Sequence, residues 1–137
     1  VNFRGAPVQG YLSRKSDGTY QMVLTIRGSY ADIFWFSLFH EIGHIVNGDI
    51  GKSAKFLDDG TDVEKEKRAD LFASNKLIDP TAYQLFTAGK NFTIESIERF
   101  AASQNVMPYV VIGRLQKEKY LPYNQYSHYK LRYIWAD

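Results

Sequence analysis

Residues 8–13 (Val-Gln-Gly-Tyr-Leu-Ser) and 20–27 (Tyr-Gln-Met-Val-Leu-Thr-Ile-Arg) are rich in β-branched and aromatic side chains. Ser16-Asp17-Gly18-Thr19 between them carries turn chemistry, so the pattern predicts an antiparallel hairpin. The period then changes. Ser29 and Asp32 supply a helix start and Asn47-Gly48 a stop. The helix between, about 31–47, is apolar on nearly every face: Ile33, Phe34, Trp35, Phe36, Leu38, Phe39, Ile42, Ile45, Val46. A helix apolar all round is expected at the centre of its domain.

Residues 49–61 read as loop. Thr61-x-x-Glu64 is a capping-box pattern that opens a second helix, running to about Leu77. Pro80, with Asp79 as cap, allows a short helix over 80–88. Thr93–Ser103 and Pro108–Lys119 give two more, and the tail after Pro122 carries no decisive pattern. A short sheet followed mostly by helices is the α+β class. With 137 residues, no repeat and no linker, the chain reads as one domain, 1–137.

Composition narrows the classes. Hydrophobic residues at 45% and charged residues at 23% exclude intrinsic disorder. The longest apolar run, Ile33 to Phe39, is broken by Ser37 and falls short of the ~18 residues of a membrane span. A secretory leader pattern is also missing. Zero cysteines exclude a disulfide scaffold, a thiolate nucleophile and a thiolate metal site, and fit a cytoplasmic location. A net charge of +2 is too small to point to nucleic acid by itself. Five tyrosines crowd the tail (Tyr120, Tyr123, Tyr126, Tyr129, Tyr133), where they serve as apolar bulk with a wet hydroxyl end.

The chemistry sits in the central helix. His40-Glu41-Ile42-Gly43-His44 is a His-Glu-x-x-His motif, and residues four apart share a helix face, so both imidazoles can reach one Zn²⁺. Glu41, beside the first ligand, is placed to take a proton from an activated water. Gly43 leaves a bare spot for another backbone or a substrate. Placing these polar groups in the most apolar helix costs several kcal/mol unless they are paired or metal-bound, roughly.

A catalytic zinc wants three protein ligands and an open position. Without cysteine, the third must be His, Glu or Asp. His128 is far along the chain. The second helix offers Glu66-x-x-x-Asp70, with twenty-one residues between His44 and Glu66, and Glu64 as the rival ligand. Glu66 and Asp70 share a face with Ala69 and Ala73, small enough for close packing on the first helix. Asp70 could then hold the far nitrogen of a ligating histidine.

These stretches together carry a resemblance. Phe-Trp-Phe-Ser-Leu-Phe-His-Glu-Ile-Gly-His (34–44) resembles the core motif of ImmA/IrrE-type metallopeptidase domains. Glu-Lys-Arg-Ala-Asp-Leu-Phe-Ala (66–73) with Leu-Ile-Asp-Pro (77–80) resembles that family's second motif, and 110–116 (Val-Val-Ile-Gly-Arg-Leu-Gln) a later stretch. The likeness spans about residues 8 to 135 and is strongest to domains behind a helix-turn-helix in antidote- or repressor-like regulators. It implies a zincin-like fold with a small antiparallel sheet packed on the central helix. It further implies a gluzincin-type peptidase with one Zn²⁺ on His40, His44 and Glu66, Glu41 as general base and Asp70 behind a ligand. Arg68 stands where glutamate is common, read as a change of surface charge. The chain begins with Val, so it also reads as a piece lacking the helix-turn-helix.

The resulting expectation is a cytoplasmic zinc endopeptidase hydrolysing a regulatory protein of repressor or antitoxin type, its partner being that protein substrate or regulator. His128, Tyr30, Arg27 and Arg114 are the candidates to support the developing oxyanion. The alternative is a catalytically silent zinc-binding sensor or interaction domain of a transcriptional regulator. Its 97–115 helix pair would contact DNA or a partner, offering Tyr109, Ile112 and Arg114 to a groove.

Overall fold

The computed structural model describes residues 10–24, 30–49, 55–57 and 63–133. Strands β1 (Gly10–Arg14) and β2 (Tyr20–Leu24) form the expected hairpin, in antiparallel register with Leu12 opposite Met22. Its turn is closed by Lys15 N–H donating to the Thr19 carbonyl at 2.8 Å, with Gly18 at φ 90°. Asp17 accepts from both the amide and the hydroxyl of Thr19, which holds its carboxyl below the usual range.

Helix α1 (Ala31–Val46) matches its sequence limits, but the strand β3 (Lys55–Leu57) stands where the sequence reads as loop. It pairs antiparallel with β1, placing Tyr11 opposite Leu57, and completes a three-stranded sheet in the order β2-β1-β3. Three residues are too few to show alternation, and the strand exists because β1 offers an edge. Then follow α2 (Val63–Leu77), α3 (Pro80–Ala88), α4 (Ile94–Ser103) and α5 (Pro108–Lys117), so the described chain is α+β. Thr61, the expected cap of α2, lies outside the described residues.

Two compact units divide the chain. One holds the three strands, α1 from Phe34 and α2 up to Ser74. The other holds Tyr30–Ile33, the end of α2 and everything after.

In the second unit, Ile78, Ile97, Ala101, Val111, Ile112 and Leu115 form a closed apolar core. Local chemistry sets its helices: Asp79 caps α3 through the Ala82 amide at 2.8 Å, with Pro80 in the first turn, and Thr93 caps α4 through Ser96. Helix α5 stops at Lys117 rather than Lys119, because Lys119 turns left-handed at φ 66°. Tyr83 donates its hydroxyl to Glu118 at 2.7 Å beneath the Arg114 guanidinium, and burial together with that carboxylate raises its pKa.

The tail, undecided in the sequence, is fastened from both sides. Buried Gln116 donates to the carbonyls of Tyr123 and Gln125, and Tyr126 to that of Phe92. The Ala31 amide donates to the Leu131 carbonyl at 2.9 Å, Lys130 pairs with Asp32 at 3.3 Å, and Arg132 donates to the Tyr30 hydroxyl. Gly113 on α5 is the bare place that admits the Asp32 carboxylate; a Cβ there would collide with it. Gly113→Ala is therefore expected to cost about 1–3 kcal/mol, as overpacking does. Urea denaturation checks this, and an unchanged midpoint would refute it.

Candidate metal centre

Helix α1 buries an unexpected stripe. Its most deeply buried side chains in the first unit are Ser37, His40, Glu41 and His44, while Trp35 and Val46 stand at the surface, Val46 at 63% exposure. The expectation of burial on every face is corrected here. The spacing 37, 40, 41, 44 is one helical face, so the helix is amphipathic with its polar face inward. Glu41 is 1% exposed and His44 0%. Polar groups buried this far need partners.

Helix α2 supplies them. Its Ala69 and Ala73 are buried, and the Ala69 Cα would lie 3.1 Å from a Cβ placed at Gly43. The two backbones thus approach at the bare spot the motif carries. Glu66 and Asp70 are brought to the histidines by that approach. His40 Nε2 lies 2.9 Å from Glu66 Oε2, His44 Nε2 lies 3.4 Å from Glu66 Oε1, and the two Nε2 atoms are 3.2 Å apart. The outward nitrogens are held by carboxylates: His40 Nδ1 by Asp70 at 2.7 Å and His44 Nδ1 by Asp49 at 2.8 Å.

The chemistry of this donor set can be tested against a metal. A carboxylate at Nδ1 only accepts, so it draws a ring proton to Nδ1, and a neutral ring held in this way presents a lone pair at Nε2. Two lone pairs and the Glu66 carboxylate then face one another, which a cation among them relieves. Tetrahedral zinc with bonds of about 2.0–2.1 Å sets neighbouring ligand atoms about 3.3 Å apart. The two Nε2 atoms, 3.2 Å apart, lie close to that value, and the Glu66 carboxylate reaches them with one oxygen each, Oε2 at 2.9 Å from His40 and Oε1 at 3.4 Å from His44. His40, His44 and Glu66 form a group that could hold a metal ion.

No family model, curated protein or solved structure matches this chain. The assignment of chemistry to the site therefore rests on its own geometry.

Among the other candidates, Glu64 has its side chain 80% exposed and pairs with Lys67 at 3.6 Å, so it is no rival to Glu66. Asp70 takes the place expected of it behind His40. Tyr30, Arg114 and His128 belong to the second unit, where Tyr30 accepts from Arg132, Arg114 donates to Glu118 at 2.9 Å and His128 packs on the Tyr129 ring. Arg27 lies outside the described residues. Tyr109 and Ile112, offered to a DNA groove by the alternative reading, are in the core of the second unit at 6% and 0% exposure.

Two residues of the centre carry no signal in the motif itself. Asp49 sits in the stretch taken as loop, and Arg68, taken as a surface charge, pairs with Asp49 at 3.3 Å. A signal for Asp49 exists. Gly48 at φ 71° ends α1, with its amide donating to the Ile45 carbonyl and the Asp49 amide to that of His44. This is a Schellman ending, which folds the residue after the glycine back over the one five positions earlier. An acid after the glycine and a histidine five before it are thereby set side by side.

Proposed function

We propose that this chain is a zinc-dependent peptidase domain of the ImmA/IrrE type, with His40, His44 and Glu66 as ligands and Glu41 as general base. The observation that carries the reading is the convergence of His40 Nε2, His44 Nε2 and the Glu66 carboxylate, each imidazole oriented from behind by its own acid. Bound zinc would supply Lewis-acid polarisation of a peptide carbonyl and a lowered pKa for a water. Glu41, on the same buried stripe as His40 and His44, would be the group to take a proton from a water at the site and return it to the leaving amine. Asp70 and Asp49 hold each Nδ1 and keep each ring from rotating, so the Nε2 atoms stay aimed inward.

The zincin-like arrangement of sheet and helices belongs to the same proposal, as do a regulatory protein for substrate and the reducing cytoplasm for location. No described helix is long and apolar enough to cross a membrane. Elemental analysis tests the reading first: about one zinc per chain is expected for a site of this kind, lost in His44→Ala. A chain that takes up no zinc after incubation with the metal would overturn it.

A further inference from the structure

We propose that Arg68 is a positioning residue of the metal centre, acting on His44 through Asp49. The inference rests on the zinc-site reading and goes beyond it to the layer behind the ligands. Asp49 divides its carboxylate: Oδ2 meets His44 Nδ1 at 2.8 Å and Oδ1 meets Arg68 Nη2 at 3.3 Å. Its side chain is 2% exposed, so this charge has left water and relies on those contacts. With the imidazole alone, the carboxylate could turn about its own bonds. The Arg68 guanidinium on the second oxygen opposes that turn and keeps Oδ2 at Nδ1.

Placement on α2 gives the arrangement its economy. Glu66, Arg68 and Asp70 occupy alternate positions along little more than one turn. Glu66 is a ligand, Asp70 orients His40 directly, and Arg68 orients His44 through Asp49. One short segment of helix thus governs all three ligands, although Asp49 belongs to the end of α1. The Arg68 side chain is 58% exposed, so the ion pair is screened by solvent and its effect is graded and sensitive to salt.

The experiment is a competition titration of zinc against a chromophoric chelator, on the full chain at low and high salt. Arg68→Ala is expected to weaken zinc binding about 3- to 10-fold, below the usual range for a group touching a ligand directly. Arg68→Glu should weaken it further, and Arg68→Lys should restore most of the loss by keeping the charge. In an Asp49→Asn background, Arg68→Ala should have no further effect. The thermal midpoint of the metal-stripped Arg68→Ala chain should match that of the stripped wild type, which separates positioning from support of the fold. Unaltered zinc affinity in Arg68→Ala and Arg68→Glu would overturn the inference while leaving the zinc site standing. So would an equal loss with and without Asp49. A wild-type chain that binds no zinc would overturn both.

Discussion

Removing zinc with a strong chelator is expected to lower the thermal midpoint of the loaded chain by about 10–15 °C, as follows from roughly 4 kcal/mol of stabilisation with zinc near a thousand times its Kd. The reason lies in the buried stripe of α1. His40, Glu41 and His44 are 6%, 1% and 0% exposed, and Asp49 and Glu66 face the imidazoles, so the unit concentrates negative charge and lone pairs. A dication compensates this charge, and its binding free energy becomes folding free energy. Differential scanning calorimetry with and without chelator reads the shift, with His44→Ala as the insensitive control. An identical midpoint in both conditions would mean that the carboxylates and imidazoles satisfy one another without a metal.

Glu41→Gln is expected to lower peptidase turnover by about 10²–10⁴-fold, the usual contribution of a general base, while zinc content stays at the wild-type level. Glutamine keeps the volume and most of the hydrogen-bonding capacity of a side chain that is 1% exposed, so the fold should survive. What it loses is the ability to accept and return a proton. Parallel measurement of zinc per chain and of cleavage of a labelled unfolded protein gives the answer. Turnover close to wild type would exclude Glu41 as the base. Absence of cleavage in both proteins, with zinc bound, would favour the sensor reading, in which the metal stabilises a surface for a partner.

The ends of α3 and α4 could be read because their signals are local. Asp79 with Pro80, and Thr93 three residues before Ser96, satisfy orphan amides without help from the rest of the chain. The length of α1 was legible for the same reason, but its orientation was not. Apolar residues on every side leave no hydrophobic stripe to follow, and the face turned inward is the one bearing His40, Glu41 and His44. The motif singled out His40 and His44, two members of the group that could hold a metal ion, where the periodicity could not. Strand β3 depends on the edge of β1, and the tail is held by Gln116, Asp32 and Tyr30. Neither leaves a periodic trace, because both are fixed by partners distant in sequence. Arg68 is not legible from the sequence because a charge on a polar helix start has an ordinary solvated explanation. Only the chain reversal at Gly48 brings Asp49 within its reach.

The contact at Gly43 bears on which ion the centre would accept. With the Ala69 Cα 3.1 Å from where a Cβ would stand, the helices meet backbone to side-chain stem, and nothing compressible lies between them. Calcium asks for six to eight oxygens at about 2.3–2.6 Å, and magnesium keeps several of its waters in an octahedron. Either would need the helices to part, or Glu66 to leave the imidazoles. Size discrimination would then reside in a missing side chain on α1, at a position that never touches the ion.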